Sequence, residues 1–105
     1  MGKNRIILAY IPCPSRKEAK RIANHLLRVK LAACTNIFRI ESAYLWKGKI
    51  ESGKEYLLIA KTTLKMFEAL KNEVIKIHPY DIPCVLRISA DANEKYFRWL
   101  CAELI

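Results

Sequence analysis

Residues 33–62 constrain this chain more than any other stretch. From 33 to 46 the pattern has period two: Cys34, Asn36, Phe38, Ile40, Ser42, Tyr44 and Trp46 share one side. Thr35, Ile37, Arg39, Glu41, Ala43 and Leu45 share the other, as successive residues of a strand do. Lys47-Gly48 then supplies a tight turn, and a second strand runs over 49–62. Gly53 beside Ser52 predicts a bulge or bend midway along it. About 13 residues per strand at ~3.3 Å each makes an arm of about 43 Å. A chain of 105 residues folds to a radius of gyration of about 13 Å, a body little over about 30 Å across. The arm must therefore bend or project. Its far part carries Ile40, Tyr44, Leu45, Trp46, Ile50 and Tyr56, too much apolar surface to leave in water. Its edges are open to pairing as well. Further copies of the chain are the simplest cover, so the pattern predicts a homo-oligomer, with Tyr44, Trp46 and Tyr56 packing the hairpin or its interface.

The flanking sequence reads clearly. Residues 5–11 are apolar and β-branched, closed by Pro12 and Pro14, which predicts a buried strand. Ser15 with Glu18 three residues on has the form of a capping box, and Ala19, Ile22, Ala23, Leu26 and Leu27 follow at helical spacing to about Lys30. Thr62 or Thr63 caps a second helix with Leu64, Phe67, Leu70, Val74 and Ile77 as its stripe. A rigid turn over 78–83 leads to a strand over 84–88, and a terminal helix follows Asp91-Ala92-Asn93-Glu94. The order is β-α-β-β-α-β-α. It predicts an α+β, ferredoxin-like βαββαβ domain over residues 1–105, with an extra C-terminal helix and a long central hairpin.

Composition removes several function classes. The apolar runs are far shorter than the ~20 residues of a membrane span. The opening Lys3 and Arg5 faintly mimic a signal peptide, but the apolar stretch is short and runs into Pro12-Cys13-Pro14, so a cytoplasmic protein is expected. None of the four cysteines forms a C-x-x-C pair, and reduced thiols are the simplest reading. The net charge of +9 raises nucleic acid as a partner, but the charges are dispersed and no RNA- or DNA-binding motif accompanies them. With three glycines, no P-loop, no G-x-S-x-G and no H-E-x-x-H, the chain offers no catalytic constellation. We expect no enzyme, no nucleic-acid partner and no membrane association.

Five segments together make the chain recognisable. They are Lys30-Leu31-Ala32-Ala33-Cys34-Thr35-Asn36, Trp46-Lys47-Gly48-Lys49-Ile50, Lys61-Thr62, His78-Pro79-Tyr80-Asp81-Ile82-Pro83 and Tyr96-Phe97-Arg98-Trp99-Leu100. In order and spacing they resemble the CutA divalent-cation-tolerance proteins across essentially the whole chain. The resemblance implies a cytoplasmic homotrimer, similar in architecture to the PII signalling proteins, linked to divalent-metal tolerance and in some members to copper. There are two departures. Asp81 stands where the family usually has Glu. Ile11, Ile77 and His78 stand where enterobacterial members offer copper a cysteine and two histidines, so one imidazole survives. A single imidazole does not hold copper tightly.

The candidate site residues follow from both readings. His78, at a helix end, either caps that helix or contacts a metal or carboxylate. Cys34 is a small core residue or a secondary metal ligand, and Cys13, between two prolines, is the thiol expected to be exposed, open to oxidation or to a soft metal as a second secondary ligand. His25 faces solvent by its periodicity. Glu51, Glu55, Lys61, Tyr80 and Trp46 are expected to line a groove between subunits, where a small molecule or partner protein binds. No cofactor is required; copper or another divalent metal is the candidate ligand. The alternative is a PII-like trimeric signalling or scaffold protein using the same groove.

Overall fold

The computed structural model describes residues 3–104, so three residues of the expected 1–105 domain lie outside the described chain. The elements are β1 (Arg5–Cys13), α1 (Arg16–Arg28), β2 (Cys34–Trp46), β3 (Lys49–Thr62), α2 (Leu64–Ile77), β4 (Leu86–Asp91) and α3 (Glu94–Glu103). The four strands form one antiparallel sheet in the order β2-β3-β1-β4, the ferredoxin-like arrangement.

Strand alternation divides the packing between the two faces. Ile7, Ala9, Ile11 and Cys13 of β1, with Leu58 and Ala60 of β3, pack against Ala19, Ile22, Ala23 and Leu26 of α1 and Phe67, Leu70 and Val74 of α2. This is the main core, and it holds the stripes read from the sequence except Leu27 and Leu64, which lie at the helix edges and are exposed. On the opposite face, Ile6, Leu57 and the α3 residue Leu100 are buried outside that cluster. Lys61, two positions along from Ile59 on that face, holds its ammonium 5.5 Å from the Tyr96 ring centre. Thus α3 covers part of the second face. Phe38, Tyr44, Leu86 and Ile88 remain exposed there.

The hairpin projects. The long axis of the molecule is 45 Å against 28 and 22 Å for the others, and the radius of gyration is 14.4 Å. The β2–β3 register is unbroken from Cys34↔Lys61 to Trp46↔Lys49, with Ser42 opposite Gly53. The expected bulge at Gly53 is absent; a Cβ there meets nothing within 4 Å, so no close approach within the protomer calls for a glycine. At the tip Lys47 and Gly48 have φ of 51° and 79°, the two left-handed residues of a type I′ turn. Leu45 and Ile50, paired beside this turn, are 74% and 79% exposed.

Other boundaries differ from the sequence reading for identifiable reasons. β1 runs through Pro12 to Cys13 rather than stopping at Ile11. A residue in a strand points its nitrogen and carbonyl to the same side. The Pro12 carbonyl accepts from His78 on the side away from β3, so the missing N–H faces that side too. This also explains why β4 begins at Leu86, opposite Tyr10, rather than at Cys84: the next rung would need Pro12. At α1 the Glu18 N–H donates to Ser15 Oγ (3.1 Å), while the Glu18 carboxylate binds Arg21 instead of reaching back. Only half of the capping box forms. Thr63 is the N-cap of α2 without a side-chain hydrogen bond, and the buried Thr62 hydroxyl donates to the Leu31 carbonyl at 2.7 Å. Asn93 starts α3, likewise without a side-chain cap.

Candidate functional site

His78 follows the last turn of α2, and its N–H donates to the Val74 carbonyl at 2.8 Å. The residue is 8% exposed and both its ring nitrogens are engaged. The Tyr80 N–H donates to Nδ1 (3.1 Å), so Nδ1 carries a lone pair and Nε2–H donates to the Pro12 carbonyl (2.9 Å). The ring also packs on Tyr80, with centroids 4.8 Å apart. Nothing in the sequence near His78 pointed to Pro12, which lies 66 residues away. A metal at either nitrogen must first displace one of these bonds.

The chain of contacts continues outward. The Tyr80 hydroxyl donates to Glu55 Oε2 at 2.6 Å. Burial, then this bond to the carboxylate, pushes the tyrosine hydroxyl well above its ordinary value, so it stays a donor at neutral pH. β1, the end of α2, the loop after it and β3 are thereby tied together through Pro12, His78, Tyr80 and Glu55.

Beside this tie lies a cleft of about 930 Å³, walled by Tyr44, Trp46, Glu51, Glu55 and Tyr80 together with Pro12, Ser42, Ala43, Leu45, Asp81, Ile82 and Cys84. It gathers Trp46, Glu51, Glu55 and Tyr80, four of the five residues expected to share a groove. Lys61 lies elsewhere, under the Tyr96 ring. Tyr56 also turns away: it packs against the main core with the Arg16 guanidinium 5.3 Å from its ring centre. Register places Tyr56 opposite Cys13, on the face turned toward α1 and α2.

The cysteines do not gather. Cys13 is fully buried, contrary to the exposure expected of it, because the extended β1 carries it onto the core-facing side with Ile7, Ala9 and Ile11. Burial, with Glu18 and Glu55 adding to it against Arg21, raises its thiol to about 12. Cys34 is half-buried beside Tyr96, whose hydroxyl is raised to about 12 by burial and then by Cys34. Cys84, which sequence reasoning passed over, reaches the cleft; burial first and Glu55 second raise its thiol. His25 is also not a free solvent residue: Nε2 lies 2.7 Å from Glu73 Oε2, a partner 48 residues away. Among the described residues no three His, Cys, Asp or Glu side chains come together as a metal-holding group. No helix among them is long and apolar enough to cross a membrane.

Comparison with known proteins places this architecture. Residues 7–103 match the family described as CutA1 divalent ion tolerance protein. The divalent-cation tolerance protein CutA of Archaeoglobus fulgidus is 46% identical over 88 residues, 84% of this chain and 86% of that protein. Its counterpart from Pyrococcus horikoshii is 38% identical over 99 residues, 93% of this chain and 97% of that one. The chloroplastic protein CutA of Arabidopsis thaliana shares 42% over 96 residues, 90% of this chain and 53% of that protein. Among solved structures, the periplasmic divalent cation tolerance protein CutA of Archaeoglobus fulgidus superposes with a TM-score of 0.91 at 39% identity, covering 93% of this chain and 97% of that chain. CutA of Synechococcus elongatus reaches a TM-score of 0.93 at 29% identity, over all of this chain and 95% of that one. The family's description is one of ion tolerance and names no reaction. With the βαββαβ order, the projecting hairpin and identity running through nearly the whole sequence, this chain belongs to the CutA1 divalent ion tolerance protein family.

Proposed function

We propose that the protein is a homotrimeric divalent-cation tolerance protein of the cytoplasm whose working site is the cleft walled by Trp46, Glu51, Glu55 and Tyr80. The observation that carries assembly is the uncovered apolar surface. Phe38, Tyr44 and Trp46 on one face of the arm are 47%, 52% and 42% exposed, and Leu45 and Ile50 on the other more so. A protomer on its own leaves this surface in water, at roughly 25 cal/mol for each Å² of apolar area that a second copy would cover. Tyr44 and Trp46 both wall the cleft, so packing of copies on the arm bounds the cleft and makes it a groove between subunits. The four unpaired cysteines support a reducing compartment.

Divalent-metal binding, copper included, is weak in this reading, and no metal is required for folding. His78 is its centre, with Cys34 and Cys13 as secondary donors, and each carries a handicap: two occupied ring nitrogens, a distant position, or a buried and protonated thiol. Copper titration of the reduced protein tests this. Affinity well short of a dedicated site, and weaker still in His78→Ala, is the expected result; unchanged affinity in the variant removes His78 from the account.

A PII-like scaffold role is the second reading, favoured by the size of the cleft and by the lack of a clustered donor set among the described residues. A thermal-shift screen separates the two, because only a ligand that prefers the folded state raises the melting temperature.

A further inference from the structure

The cleft has a chemical character opposite to that of the chain. The sequence holds 19 lysines and arginines against 10 acids. Within one protomer, however, the cleft wall carries the carboxylates Glu51, Glu55 and Asp81 and no lysine, arginine or histidine. Tyr44, Trp46 and Tyr80 supply aromatic surface beside them.

Carboxylates attract any cation, and three features discriminate among cations here. The donors do not cluster as a metal shell among the described residues, and one Glu55 oxygen already accepts from Tyr80. Aromatic faces attract onium groups through the ring quadrupole, most strongly when water is partly excluded. The protomer's share of the cleft, about 930 Å³ before a second copy bounds it, has room for a small molecule with an apolar body and exceeds the needs of a bare ion.

We propose that the cleft binds a small organic cation, an alkylammonium such as a polyamine or a quaternary amine. Its charge sits by Glu51 and Glu55, and its carbon skeleton lies on Tyr44, Trp46 and Ile82. This rests on the cleft being the working site and adds the class of ligand. The overall charge of +9 opposes cation approach at long range. That repulsion is screened beyond ~8 Å at physiological salt, so the carboxylates dominate inside the cleft.

Trp46 is a natural reporter, since the chain has two tryptophans and Trp99→Phe leaves it alone. The Trp99→Phe protein is titrated with tetraethylammonium and spermidine, with phosphate and citrate, and with Cu²⁺ and Zn²⁺, in about 150 mM KCl. A saturable change in Trp46 emission with the amines is expected, at least ~10-fold weaker in Glu51→Gln/Glu55→Gln. Asp81→Asn is the second variant, used where the double one melts early, and it too weakens amine binding. Saturation by the anions overturns the cation assignment while leaving the cleft as a binding site. Saturation by the metals alone overturns it in favour of inorganic ions. Saturation by none of these probes overturns the ligand class and the working-site reading together.

Discussion

Truncating His78 to alanine should be among the most damaging single changes in this protein, although it lies in a segment that reads as a turn. The wild-type ring makes two hydrogen bonds, to the Pro12 carbonyl at 2.9 Å and from the Tyr80 N–H at 3.1 Å. Each neutral bond contributes about 1 kcal/mol net, and a partner left buried and unsatisfied costs about 1–3 kcal/mol. The Pro12 carbonyl has no substitute, since β4 does not extend to it. Loss of the ring adds a packing defect next to Tyr80. The total comes to about 3 kcal/mol. Urea unfolding followed by far-UV circular dichroism, at one fixed protomer concentration, measures it. His78→Gln keeps an amide donor able to reach Pro12 but gives up the ring acceptor for Tyr80, so it should fall between wild type and alanine. A loss below about 0.5 kcal/mol for His78→Ala, or a glutamine variant as unstable as the alanine one, refutes the account of His78 as the tie between β1 and the end of α2.

Other expectations test separate parts of the molecule. Lys30 sits at φ 61° just after α1, where the Leu31 and Lys30 N–H groups bond the Leu26 and Leu27 carbonyls in a Schellman ending. Lys30→Gly relieves the left-handed strain of a non-glycine residue and should stabilise by roughly 0.5–1 kcal/mol in the same urea assay. Gly48→Ala at φ 79° should destabilise by about 1 kcal/mol with little else changed, since a Cβ there meets nothing within 4 Å. Alkylation at pH 8 should label exposed Cys101 readily and leave Cys13, raised to about 12 and fully buried, unreacted until unfolding. Glu73 is held below the usual glutamate range, chiefly by its bond to His25 and next by Lys76. Its contribution to stability is thus complete above the unfolded value of about 4.5 and fades as pH falls through the lower folded value. Carboxyl NMR titration should show the Glu73 midpoint rising in His25→Ala.

What the sequence made legible followed from periodicity and local turn chemistry. The period-two run marked β2 and β3, the Lys47-Gly48 pair marked their turn, and the helical stripes of α1 and α2 named the residues that meet in the core, Leu27 and Leu64 excepted. Those signals work because they need only neighbours within a turn or a strand. That Trp46, Glu51, Glu55 and Tyr80 wall one cleft of the protomer was legible for the same reason: the first three share one face of the hairpin, and Tyr80 lies in the rigid turn. The errors arose where a distant partner decides. Pro12 reads as a strand stop until His78 is seen to occupy the open side of its backbone; β1 therefore runs on and carries Cys13 into the core, while the missing Pro12 N–H delays β4 to Leu86. Tyr56 packs against the main core beside Arg16, a neighbour its own hydrophobicity does not reveal. Gly53 lacked context in the same way: a glycine in a strand signals a bulge only where neighbouring backbone disrupts the ladder, and there the ladder is continuous.

Sedimentation equilibrium of the reduced protein at micromolar concentration is the most direct check on the account as a whole. Exposed Leu45, Ile50, Tyr44 and Trp46 demand cover, and a particle of three times the 12.2 kDa protomer mass is expected. A stable species at the mass of one chain would contradict it, and the shared groove would have no second wall.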